Sequence, residues 1–267
     1  MPINSRTLTA AIASGCALLA NPAAAQDDPS DGAKRTRVAL GPQVKPSWPG
    51  ANDVSFGPLV DFATAYGDTP FEFEAPDESF GFAVATSDDF AVGPVLSFES
   101  KRDSADVGGV LPDVDFSLEV GGFVNYTVSE NFRLRAEARQ GVTGHEGFIA
   151  VLGADFITRD ADEYLLSIGP RLKITDNSYQ DAYYSVTPAQ SLASGLPAYD
   201  ASGGVQSVGV VIGYIQQLSE RWGIYTYAEY DRLVDGAANS PVVTTYGSRD
   251  QYSGGIALTY TFDGGIF

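Results

Sequence analysis

The chain has 267 residues, a formal net charge of −18, 29 glycines, one histidine and one cysteine. That acidic balance excludes a nucleic-acid binder, which needs a basic footprint. Hydrophobic residues make up 44% of the chain, the level of an ordinary globular protein rather than a bundle of membrane helices.

Residues 1–25 read as a secretory signal peptide. Arg6 lies in a short leading region, an apolar run extends from about Leu8 to Ala20, and Ala23-Ala24-Ala25 precede the expected cleavage point. The run is shorter than the roughly 20 residues of a membrane-spanning helix. Apolar residues continue well past Cys16, which argues against a lipoprotein site there. With Cys16 in the leader, no disulfide or thiol chemistry is expected downstream. Residues 26–35, QDDPSDGAKR, are polar and expected to be flexible. No composition shift follows, so residues 36–267 form one domain.

Strand-like segments recur at 36–46, 53–66, 71–85, 90–101, 113–128, 132–142, 146–159, 164–176, 205–219, 222–235 and 250–262, with no helical period of any length. Their alternation is clean. In residues 250–262, Tyr252, Ile256, Leu258, Tyr260 and Phe262 share one face and Ser253, Ala257, Thr259 and Thr261 the other. Soluble sandwich strands average about 5–6 residues. These alternate over roughly 10–14, enough to cross a membrane at a tilt. Aromatics stand at both ends of the apolar stripes, as interfacial girdles require: Phe116 and Tyr126, Trp222 and Tyr230, Tyr252 with Tyr260 and Phe262. The links 129–131, 159–163 and 219–221 are short, while 102–112, 177–204 and 236–249 are long and polar. This is the asymmetry between periplasmic turns and extracellular loops. The expectation is an all-β, transmembrane, antiparallel up-and-down barrel in contact with outer-membrane lipid. Bacterial single-chain barrels have an even strand number, so the eleven segments imply about twelve strands, with ten as the alternative.

Closure of such a barrel turns Glu119, Arg133, Arg135, Glu137, Arg139, Arg171, Lys173, Glu229 and Asp231 into the lumen. On the lipid face each basic residue would cost about 2–4 kcal/mol at the midplane. Inside they either pair as a plug or line a selective pore. The plug is preferred because a barrel of this size has a narrow interior filled largely by side chains.

Few residues suggest chemistry. His145 sits in TGHEG, and with a nearby serine and acid it would suit a hydrolase. The glycines around it favour a hairpin turn. One histidine and no cysteine past residue 16 argue against zinc. No acidic loop has EF-hand spacing and no glycine-rich loop carries Lys-Ser/Thr, so no cofactor is expected. Tyr179, Tyr183, Tyr184 and Tyr199 lie in a loop too long to be structureless by default, which either packs as a lid or contacts a partner.

Several segments resemble the MipA/OmpV family of outer-membrane proteins: LPDVDFSLEVGGFVNY (111–126), RLRAEARQGVTGHEG (133–147), the run from Leu166 to Gly204, and YDRLVDGAANSPVV (230–243). VKPSWPGAND (44–53) fits more loosely. The resemblance implies an outer-membrane barrel without an agreed enzyme activity. For some members it implies a scaffold joining a murein transglycosylase to a murein synthase, and for others adhesion. It also implies insertion by the barrel-assembly machinery, for which Phe262 or Phe267 would be the terminal aromatic. A narrow pore, a surface adhesin and a hydrolase built on His145 are the competing readings.

Overall fold

A computed structural model describes residues 32–109 and 111–264. The leader 1–25, most of 26–35 and Phe267 lie outside the described residues. The described chain forms one curled antiparallel sheet of twelve strands. They are β1 (Lys34–Pro46), β2 (Val54–Tyr66), β3 (Phe80–Gly81), β4 (Ala85–Thr86), β5 (Phe90–Glu99), β6 (Ser117–Ser129), β7 (Phe132–Gly141), β8 (Phe148–Asp160), β9 (Tyr164–Thr175), β10 (Gly204–Gln217), β11 (Trp222–Leu233) and β12 (Asp250–Asp263). All but β3 and β4 are 10 to 14 residues long. Each long strand coincides with an expected segment to within a few residues.

Period two dictates the two faces. On β12, Tyr252, Ile256 and Leu258 are 63%, 55% and 59% exposed, while Ala257 and Thr259 are buried. Exposed Phe56, Val60, Phe62, Phe156, Ile168 and Ile212 continue the outer apolar surface around the sheet. Aromatic pairs mark its two ends: Trp222–Tyr260 (centroids 4.7 Å) and Phe90–Tyr126 (4.6 Å) at one, Tyr230–Tyr252 (5.2 Å) and Phe98–Phe116 (5.7 Å) at the other. Strands joined at the first end have short turns, as between β6 and β7, β8 and β9, and β10 and β11. The second end carries the long loops.

One expected element is corrected. Residues 71–85 are not a single strand. From β2 the chain passes into the interior, and Phe71 to Ser79 climb against the inner wall. The chain then returns to the wall as the short β3 and β4, which pair with β5. The FEFE alternation of this stretch suits a strand equally well, and the local pattern alone cannot tell the two placements apart. The sheet order is an open path from β2 to β3.

The loops are also more ordered than the absence of a helical period suggests. They hold a 3-10 turn (Ser104–Val107) and the helices α1 (Asn177–Tyr184), α2 (Pro188–Ser194), α3 (Asp235–Asn239) and α4 (Pro241–Tyr246). Trp48, Val107, Ile149, Tyr179, Tyr183, Tyr184, Val242 and Val243 from five chain segments bury together into one apolar core across the loop end.

Candidate functional site: the charged lumen and its cap

The lumen charges form a continuous ion-pair network. Arg133 on β7 binds Glu78 and, at 2.9 Å, Asp155 on β8. Arg135 reaches Glu78 at 2.9 Å and Glu137 at 2.5 Å, and donates to Asn125 at 3.0 Å. Arg139 bridges Glu137 and Glu119, the latter at 2.7 Å. Arg171 on β9 holds Asp77 at 2.6 Å and Asp155 at 2.7 Å. Room for its guanidinium comes from the absence of a side chain at Gly169, where a Cβ would stand 2.8 Å from Nη1. Lys173 lies 3.6 Å from Glu99 and over the Tyr179 ring. Glu229 and Asp231 on β11 line a cavity of about 140 Å³ with Asp77, Arg135, Arg171 and Lys173.

Glu119, Arg133, Arg135, Glu137, Arg139 and Arg171 are thus all members of the network, with Lys173, Glu229 and Asp231 at its edge. Sequence reasoning missed four acids in it. Asp155 had a usable signal, since it alternates with Val151 and Gly153 along β8. Glu99 ends β5. Asp77 and Glu78 had none, because they belong to the interior segment.

That segment is held by cations and rings. Arg133 stacks on Phe73 (4.3 Å) and Arg37 on Phe71 (4.6 Å). Arg133 donates to the Phe73 carbonyl at 3.1 Å and Arg159 to that of Phe71 at 2.9 Å. The Ser79 hydroxyl donates to Glu137 at 2.5 Å and accepts from Arg139 at 2.8 Å.

His145 sits where network and cap meet. Its Nδ1 accepts the Gly147 N–H at 2.9 Å, which leaves Nε2 to donate to Glu119 at 3.0 Å. Its side chain is fully buried against Tyr179 (4.7 Å between rings) and Tyr183. Both nitrogens therefore serve the fold's own hydrogen bonds. Gly147 lets α1 approach closely, as a Cβ there would stand 2.4 Å from the Tyr179 nitrogen.

Tyr179, Tyr183 and Tyr184 are completely buried in the cap, and Tyr199 is half-buried, donating to the Gly236 carbonyl at 2.9 Å. Burial pushes the phenols of all four above the ordinary tyrosine value. Arg102 reaches the Tyr183 carbonyl at 2.6 Å from below Trp48.

A curled sheet of long antiparallel strands, apolar outside, charged inside and girdled by aromatics, defines a transmembrane β-barrel of the outer-membrane kind. The sequence pattern of the family described as MltA-interacting protein MipA matches residues 38–262, and the chain belongs to that family. It is an outer-membrane protein of a Gram-negative bacterium. No curated protein matches its sequence. Solved structures similar to it include a "KdgM porin" (9% identity, 85% of this chain and 99% of that one, TM-score 0.39). Others are a "bacterial polysaccharide outer membrane secretin" (8%, 88% and 99%, 0.41) and the COG4313 outer membrane channel from Pseudomonas putida F1 (11%, 88% and 99%, 0.35). At these scores the likenesses carry no argument about function.

Proposed function

We propose that the protein is a non-catalytic anchor in the outer membrane that docks a murein transglycosylase, and through it a murein synthase, at its periplasmic turns. The observation that carries this reading is the membership of a family named for interaction with MltA. The interior supports it: the segment Phe71–Ser79 and its arginine partners run through the lumen and narrow it, and a buried apolar core roofs the loop end. A barrel so occupied has its outer ends as working surfaces. The turns at Glu130-Asn131, Ala161–Glu163 and Leu218–Arg221 are the periplasmic candidates. Photo-crosslinkers placed at Glu130, Asp162 and Glu220 in living cells should capture the transglycosylase, and the same groups at Leu192 of α2 should not. Equal capture at both ends, or none at the turns, overturns the proposal.

The cavity of about 140 Å³ between Asp77, Arg135, Arg171, Glu229 and Asp231 favours a second reading, a narrow pore for small solutes. Planar-bilayer recording separates the two. The anchor gives no ion-selective steps, whereas a pore gives steps whose selectivity changes in Arg135→Gln.

A further inference from the structure

Among the described residues the wall is one pass short: β3 and β4 lie in line along β5, so the twelve strands make eleven passes. β1 runs from the turn end to the loop end, and strands then alternate through β12, β11, β10, β9, β8, β7, β6 and β5. β2 is antiparallel to β1, and β3 and β4 are antiparallel to β5. The two edges facing each other across the seam, β2 and β3–β4, therefore both run from the loop end to the turn end. They cannot join as antiparallel neighbours. An edge left open at lipid depth exposes backbone groups that nothing in hydrocarbon can satisfy. The strand that would close the seam must run upward from the turn end. A second copy in the same membrane cannot supply it. Its β2 and β3–β4 edges, related by an axis along the membrane normal, run the same way as these.

One segment of this chain does run that way. We propose that residues 69–75 have two seats, the luminal one described above and a second in the wall between β2 and β3–β4, where they close the barrel as its twelfth pass.

Three observations meet on this assignment. The turn is already formed, with the Thr69 N–H donating to the Tyr66 carbonyl at 3.1 Å; a hairpin continued from it would set Phe71 opposite Thr64, Phe73 opposite Phe62 and Ala75 opposite Val60. The faces agree from both sides. Phe62 and Val60 are exposed on the lipid face of β2, and Phe80, Phe82 and Val84 are exposed on the other edge. In the wall seat Phe71, Phe73 and Ala75 join that lipid face, and Glu72 and Glu74 turn to the lumen. The lengths agree as well. Residues 69–75 climb as many positions as 80–86 descend, and the intervening Pro76-Asp77-Glu78-Ser79 has the composition of a tight turn. The luminal seat is held by Arg171 on Asp77, by Arg133 and Arg135 on Glu78, and by the two stacked phenylalanines. Movement to the wall exchanges these for backbone pairing on two edges and empties the lower lumen.

Disulfide trapping in outer-membrane vesicles tests this, on full chains carrying Cys16→Ser. The pair Phe62→Cys with Phe73→Cys reports the wall seat. The pair Pro76→Cys with Gly213→Cys reports the luminal one, since a Cβ at Gly213 would stand 2.8 Å from the Pro76 ring. Val38→Cys with Phe62→Cys, neighbours in the β1–β2 register, is the positive control. Both reporter pairs should link under mild oxidation. If the luminal and control pairs link and Phe62–Phe73 never does, the wall seat does not exist. A second readout needs no cysteine: Phe73→Trp in a Trp222→Phe background should be quenched by brominated lipid, and an added tryptophan immune to quenching overturns the proposal equally.

Discussion

At the scale of single residues, Arg171 and Asp155 show how the network carries charge. Arg171 is the cation that holds Asp77, and it also holds Asp155. Asp155 is shared with Arg133, which keeps Glu78. Removing one partner of a buried pair strands the other and costs about 3–5 kcal/mol. Arg171→Met should therefore cost about that much, because it strands a carboxylate. Asp155→Asn should cost distinctly less, because both arginines retain an acid. Urea titration in lipid vesicles, followed by tryptophan fluorescence, measures both. Equal losses would mean that the pairs are not individually important. The alternation of β7 made Arg133, Arg135, Glu137 and Arg139 legible as a luminal row from sequence. Their partners Asp77 and Glu78 were not legible, because no local pattern reports a segment that folds across the inside of a barrel. His145 belongs to the same scale. His145→Leu removes the acceptor of the Gly147 N–H and the donor to Glu119, leaving buried groups unpaired at about 1–3 kcal/mol. The expected phenotype is a loosened cap, seen as faster proteolysis of the loops in intact cells.

At the scale of elements, the cap is the part that sequence reasoning described least. Its helices are five to eight residues long, too short for a 3.6-residue period to stand out. The signals that were present are terminal ones. Asp176 caps α1 by accepting the Tyr179 N–H, and Thr187 with Gln190 forms a capping box behind Pro188. What fixes the cap is the burial of Tyr179, Tyr183 and Tyr184, and burial raises their phenols. The sign of the pH effect follows. Below about pH 10, the ordinary phenol value, these groups are neutral whether the cap is folded or open. Above it the open cap ionises and the folded cap does not, so cap stability is complete below that pH and falls as pH rises. The slope reaches about 1.4 kcal/mol per pH unit for each tyrosine. Near-ultraviolet circular dichroism should collapse together with the rise of tyrosinate absorbance above pH 10, while the far-ultraviolet β signal persists. Tyr184→Phe should make the collapse shallower. Simultaneous loss of both signals would show that cap and barrel open as one unit.

At the scale of the whole molecule, strand length, alternation and the asymmetry of loops carried the architecture from sequence, because lipid on one side of every strand imposes one rule on all of them. The parity rule turned eleven segments into about twelve strands; it did not say where the odd one lay, which is 71–85, where an interior pass is followed by the short β3 and β4. The same global rule yields the sharpest test of what surrounds the barrel. Ile256 lies at the middle of β12, 55% exposed, with Leu258 beside it on the same face. If that face met water, arginine there would be nearly neutral, since exposed substitutions stay within about 0.5 kcal/mol. If it meets hydrocarbon at the midplane, arginine costs about 2–4 kcal/mol. Ile256→Arg should therefore lower the urea midpoint in vesicles by that amount and weaken the gel band whose mobility shifts on boiling. Phe262→Arg, on the same face but close to the turn end of the strand, should be tolerated far better. Depth dependence along one strand is a signature that only a bilayer produces, because a soluble sandwich has no midplane.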